Sequence, residues 1–177
     1  MTTSPSAKST YQNSRHRIPA KSIFSDPWCF LAFGLGSGLS PVAPGTLGTV
    51  AAIPIYYLMA NLSLPLYCGI TLGLFLIGIT ICQRCEQRLN ISDHGGIVWD
   101  EIVGFLVTMI AAPLSWTAIG LGFIFFRLFD ILKPWPIKWL DRHVHGGLGV
   151  MLDDAIAGVF AALCLQGVLL FVPSLTP

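Results

Sequence analysis

Two apolar runs, Leu47–Leu62 and Leu64–Cys82, contain no charged residue and meet at the uncharged turn Asn61–Pro65. A transmembrane helix needs about 20 apolar residues, somewhat fewer where the bilayer is thin or distorted. Only 11% of the chain is charged, against about 25% in an ordinary soluble domain. With 54% hydrophobic residues and a mean hydropathy of +0.71, there are too few charges to coat a globule. The fold class expected is therefore all-α: a multi-pass helical membrane bundle with about four or five spans.

The rest of the chain arranges itself around these runs. Residues 1–22 are rich in Ser, Thr and basic side chains and lack the apolar core of a signal peptide. They read as a disordered tail, with Lys8, Arg15, Arg17 and Lys21 keeping it in the cytoplasm. Residues 23–177 form one helical membrane domain. The second run leaves the bilayer through Arg84 and Arg88, which places that end in the cytoplasm too. Ile97–Ala112 and Ser115–Leu132 form a helix pair around Pro113, whose outer ends return to one side. Lys133, Lys138 and Arg142 mark that side as cytoplasmic. Trp135, Ile137, Trp139 and Leu140 fit an interfacial segment, and Asp153–Val172 is the last helix. A net charge of +1 gives no reason to expect a nucleic-acid partner.

Against this background the acids are unevenly placed. Of 9 Asp and Glu residues, only Asp26 and Glu86 fall outside the interval from Asp93 to Gly158. Within it, Asp100-Glu101 and Asp153-Asp154 are each expected in the first turn of a helix, where the dipole favours them. Asp130 and Asp141 belong to the same end. Carboxylates are costly to bury and rarely gather beside apolar helices without a cation. Asp100, Glu101, Asp130, Asp141, Asp153 and Asp154 are the candidate metal ligands. Hard oxygen donors favour Mg²⁺, with Mn²⁺ or Ca²⁺ as alternatives.

Such a metal takes protein carboxylates together with substrate phosphate, and groups suited to phosphate stand nearby. Arg127 is three residues from Asp130, on one helical face. His94 and His145 each precede a Gly-Gly pair ahead of an acid pair, so either can exchange a proton with a reacting oxygen. The loop G36-SGLSPVAPGTLGT offers turn amides with the hydroxyls of Ser37, Ser40 and Thr46. The catalytic candidates are His94, Asp100, Glu101, Asp130, Asp153 and Asp154. The candidates for substrate binding are Ser37, Thr46, Arg127, Lys133, Arg142 and His145.

Two cysteine patterns are set aside. Cys82 and Cys85 have zinc-like spacing, but no second Cys or His pair answers them. Cys82 to Arg88 fits C-x5-R, yet the intervening QRCEQ favours helix and lacks the Gly a phosphate loop needs. With five cysteines mostly in apolar runs, buried free thiols are expected.

Four stretches together, the GSGLSPVAPGTLG loop, HGGIVWDE, RLFDILKPWPI and DRHVHGGLGVMLDDAIAG, resemble the phosphatidylglycerophosphatase A family from about Trp28 to Val172. The resemblance implies a Mg²⁺-dependent lipid phosphatase of the bacterial inner membrane. Its substrate would be phosphatidylglycerophosphate, its products phosphatidylglycerol and inorganic phosphate. The acids would face the cytoplasm at the membrane surface, where the lipid phosphate sits. The reading from another class is a membrane transporter or ion channel using the acids as a cation site. Such sites lie near midplane on broken helices, whereas these acids are expected at one end.

Overall fold

The computed structural model describes residues 18–91 and 94–172. The expected tail up to residue 17 lies outside the described residues, as do Ser92, Asp93 and residues 173–177. The described residues form α1 (Ala20–Phe24), α2 (Pro27–Ala32), a 3-10 stretch (Gly34–Leu39), α3 (Pro44–Met59), α4 (Leu64–Leu89), α5 (Trp99–Thr108), α6 (Trp116–Leu132), α7 (Ile137–His143) and α8 (Gly146–Phe171), with no strand among them. α1 takes in residues 20–22 of the stretch read as tail and buries Ile23.

α4 and α8, each 26 residues, are long and apolar enough to cross a membrane. Large apolar side chains remain on the outside of the bundle, among them Leu72, Leu76 and Ile77 on α4, Ile124 and Leu128 on α6, and Leu163 and Leu170 on α8. An exterior of that kind on several helices matches a lipid solvent better than water. The interior is lined by Tyr56, Phe105, Leu106, Met109, Phe126 and Leu165, all fully buried.

α5 is the shortest of the helices in this core. Its ten residues reach only about 15 Å at 1.5 Å each, although the sequence suggested helix to Ala112. Ala111 turns left-handed at φ 57° and Pro113 follows, so the helix cannot continue. An interrupted helix in an apolar setting leaves carbonyls that must find donors. Neighbouring helices supply them. The Tyr67 hydroxyl donates to Leu106 O at 2.7 Å, Gln166 Nε2 to Ile110 O at 3.0 Å, and the Tyr56 hydroxyl to Ala112 O at 3.0 Å. The tip of the α5–α6 hairpin thus sits near the far ends of α3 and α8.

α8 starts seven residues earlier than the sequence suggested. Glycines are poor helix formers, so the run Gly146-Gly147-Leu148-Gly149 resembled a loop. Packing overrides that preference here. A Cβ on Gly147 would stand 2.0 Å from Ile79 O, so only glycine lets α8 approach α4 this closely. Gln83 Oε1 accepts from the otherwise orphaned Gly147 N at 2.8 Å. Asp153 and Asp154 therefore lie two turns inside α8, about 12 Å from its start, beyond the reach of the helix-start dipole expected to favour them. Asp100 and Glu101 do occupy the first turn of α5.

α5 and α8 run parallel and touch at a glycine pair. A Cβ on Gly158 would lie 2.4 Å from Gly104 O, and one on Gly104 would lie 2.8 Å from Asp154 O. Asp100 is four residues before Gly104 and Asp154 four before Gly158, so the close crossing brings these two acids together one turn nearer the starts of α5 and α8. Gly158→Val should cost about 1–3 kcal/mol, because the obstruction is backbone and cannot swing away. Thermal unfolding in detergent should show a midpoint several degrees lower; an unchanged midpoint would refute the close crossing.

Candidate active site

The parallel crossing creates a cleft of about 110 Å³, lined by Asp100 and Glu101 from α5, Asp130 and Lys133 from the end of α6, and Asp153 and Asp154 from α8. His94 and Gly95, from the segment before α5, close one side. At about 30 Å³ per water, the space suits a few waters or one phosphate-sized group.

Asp100, Glu101 and Asp154 each bring a carboxylate oxygen within 4.8 Å of the other two. Around them, two cations pair with four of the six carboxylates. Arg127 pairs closely with Asp130 and stands 3.9 Å from Glu101. Lys133 bridges Asp141, at 2.7 Å, and Asp153. Burial works against the charged Lys133, but these two carboxylates outweigh it and hold its ammonium above the ordinary lysine value. Asp100 and Asp154 have no cation partner among the described residues.

Oxygens of four of these acids, Asp100 Oδ1, Glu101 Oε2, Asp153 Oδ1 and Asp154 Oδ2, are shut off from solvent without a hydrogen-bond donor. Leaving a charge buried and uncompensated costs several kcal/mol. Orphaned oxygens converging on one cleft are what a hard divalent cation requires, and the donor set fits Mg²⁺.

The first turn of α3 abuts this cluster from behind. A Cβ on Gly45 would sit 2.1 Å from Glu101 Oε1 and 3.0 Å from Arg127 Nη1. The positive end of the α3 dipole therefore lies against the Glu101 carboxylate. The loop's hydroxyls do not reach the cleft. Ser37 Oγ donates to Gly34 O at 2.9 Å, Ser40 Oγ to Val42 O at 2.8 Å, and half-buried Thr46 is not in the lining.

The histidines separate. His94 Nδ1 accepts from Gly96 N at 3.0 Å, which leaves its other ring nitrogen to carry a proton. His145 is exposed and lines a smaller neighbouring pocket of about 50 Å³ with Asp141, Asp153 and Glu86. Arg142 is exposed on α7 and lines neither pocket.

Glu86 is the residue that sequence reasoning left out. It is buried on the inner face of α4 beside Cys82 and Cys85. The signal was its register, one and four residues from two buried cysteines. Those cysteines are fully buried within an unbroken helix, and Cys82 Sγ touches Met151 Sδ at 3.9 Å. No phosphate-wrapping turn surrounds them. Cys82→Ser and Cys85→Ser should keep most phosphatase activity, whereas a thiolate nucleophile would lose several orders of magnitude. Trapping a phosphocysteine would overturn this assignment.

The model of the family described as Phosphatidylglycerophosphatase A matches residues 30–169. A phosphatidylglycerophosphatase A of Escherichia coli is 47% identical over 161 residues, 89% of this chain and 91% of the relative. One of Haemophilus influenzae is 40% identical over 148 residues, 82% of this chain and 91% of the relative. A Bacteroides thetaiotaomicron protein, whose name offers phosphatidylinositol-3-phosphatase as a candidate activity, is 35% identical over 141 residues, 75% of this chain and 87% of the relative. No solved structure gives a significant match. The matched interval runs from α2 to α8 and contains Gly45 in the first turn of α3, both acid pairs and the glycine crossing that joins them; the chain belongs to the phosphatidylglycerophosphatase A family.

Proposed function

We infer that this chain hydrolyses the terminal phosphate of phosphatidylglycerophosphate to phosphatidylglycerol and inorganic phosphate, by attack of water. The observation that carries the chemistry is the pair Asp100 and Asp154, each with a buried carboxylate oxygen and no cation partner among the described residues, facing a phosphate-sized cleft. Asp100, Glu101 and Asp154 would hold Mg²⁺, with Asp130 and Asp153 at its border and Asp141 kept on Lys133. Bound there, Mg²⁺ supplies charge neutralisation at phosphate oxygens and a lowered pKa for a ligated water.

The chain's own groups perform the remaining tasks. Arg127 holds Asp130 and fixes Glu101 from behind. Lys133 sits on the rim, where its ammonium can exchange a carboxylate for a phosphate oxygen. A carboxylate of the cleft takes the proton that the attacking water gives up, and that proton passes to the glycerol oxygen as the P–O bond breaks, while the His94 ring N–H donates a hydrogen bond to the departing oxygen. The diacyl chains stay among the apolar helix faces outside the cleft.

In the bilayer, α3, α4 and α8 cross, and α5 with α6 makes a deep hairpin that enters and leaves on one side. Arg84, Arg88, Lys133, Lys138 and Arg142 at that end favour the cytoplasmic face of the bacterial inner membrane. A transporter reading gains nothing from a cleft whose acids cluster toward one end and whose relatives are named for phosphatase activity.

A single experiment tests substrate and facing together. Water-soluble, short-chain phosphatidylglycerophosphate is added with Mg²⁺ to sealed inner-membrane vesicles holding this chain. Inverted vesicles should release phosphate and right-side-out vesicles should not. No release from inverted vesicles or purified protein rules out the phosphatase; release only from right-side-out vesicles reverses the facing.

A further inference from the structure

A second cleft, of about 480 Å³, shares no lining residue with the acid cleft and has the opposite character. Asp26, Pro27 and Trp28 form one wall, and Arg84, Gln87 and Arg88 on α4 form the other. The Arg84 guanidinium lies 4.3 Å over the Trp28 ring and enters no ion pair among the described residues. The stack fixes the plane of the guanidinium and leaves its edge N–H groups free for an acceptor. Arg88 gives its Nε to Asp26 Oδ2 at 2.9 Å and is 75% exposed, so its two terminal nitrogens remain available. Two guanidiniums against one carboxylate leave the cleft positive.

Its position in the bundle indicates the source of the anion. Gln83, next to Arg84, bonds the first turn of α8, so this cleft lies at the same end as the acids. Along α4, the exposed face below the arginines passes Thr80, Ile77 and Leu76 to Gly73 and Gly69. Nothing lies within 4 Å of a Cβ built on either glycine, so the face forms a shallow trough leading to the guanidiniums. Free phosphate has no use for such a trough, whereas an acyl chain does.

We propose that this cleft binds the headgroup phosphate of an anionic phospholipid, distinct from the substrate lipid, with one acyl chain along the Gly69–Thr80 face of α4. Asp26 also caps α2 through Trp28 N at 2.9 Å, so the bound lipid would join α2 to the cytoplasmic end of α4. The inference rests on α4 lying in the bilayer, but not on turnover.

The test uses the full chain in nanodiscs of phosphatidylcholine with a minority of phosphatidylserine, which is neither the substrate nor the product. Native mass spectrometry of the released protein counts retained lipid. The wild type should keep phosphatidylserine in preference to phosphatidylcholine. The double variant Arg84→Gln/Arg88→Gln should lose that preference by about thirtyfold, as removing two interfacial charges predicts. Both side chains are exposed, and an unchanged thermal midpoint verifies folding. A large excess of inorganic phosphate should leave the lipid in place. Equal retention of both lipids, undiminished phosphatidylserine on the folded double variant, or displacement by phosphate would each overturn the proposal. None of these outcomes bears on the acid cleft, whose failure would show in phosphate release and in the response of stability to Mg²⁺.

Discussion

Asp100→Asn and Asp154→Asn should each lower turnover by on the order of a hundredfold or more at limiting Mg²⁺, with the bundle still folded. Losing a residue that merely supports a metal ligand typically costs about 10–100-fold, and a ligand itself should reach or exceed that range. Asn keeps the shape of Asp and removes its charge. The sign of the stability change separates a metal site from ordinary helix-end acids. Without metal, Asp100, Glu101 and Asp154 repel one another within 4.8 Å, so neutralising one should raise the unfolding midpoint of the metal-free protein. With metal, the wild type should gain stability by mass action and the variants should gain much less. Thermal unfolding with and without Mg²⁺, beside phosphate release, reads both effects. Folded variants with near-native turnover at limiting Mg²⁺ would remove the carboxylate site.

Asp153→Asn should behave differently from its neighbour. Asp153 spends one oxygen on Lys133, which also holds Asp141, so these charges act as a unit. The sequence could not distinguish the two adjacent aspartates, because α8 appeared to start beside them. What was legible was the gathering of acids at one end, through the confinement of charge between apolar runs. Also legible were the long α4 run, the later part of α8, the hairpin around Pro113 and the helix-start position of Asp100 and Glu101.

What escaped the sequence depended on contacts between distant elements. The Gly146–Gly149 segment is helical because α4 requires its close approach, a tertiary demand that propensity does not carry. The early end of α5 is tolerated because Tyr56, Tyr67 and Gln166, far apart in the chain, donate to its last carbonyls. Glu86 looked like part of a polar helix exit, since three of its neighbours, Arg84, Gln87 and Arg88, are exposed. Its burial follows from the side of α4 that α2 and α8 cover. The Gly-Gly pair ahead of each acid pair was visible, but the purpose of Gly104 and Gly158 as mutual contact points was not.

Removal of divalent metal should abolish phosphate release altogether, and added Mg²⁺ should restore it. The chain offers no substitute for the missing charge at Asp100 and Asp154: Arg127 is engaged by Asp130 and Glu101, and Lys133 by Asp141 and Asp153. A doubly charged phosphate monoester would then approach uncompensated carboxylates, and their repulsion would keep it from the cleft. Ca²⁺ should restore activity poorly. It prefers about six to eight oxygens in a loose arrangement, whereas Mg²⁺ accepts a few carboxylates and completes its octahedron with water and substrate oxygen. A cleft of about 110 Å³ with three converging carboxylates suits the smaller ion. The measurement is phosphate release from purified protein after exhaustive dialysis against chelator, followed by titration with each cation. Full activity in excess chelator would mean that these acids work without metal, with one of them protonated and serving as the acid or base.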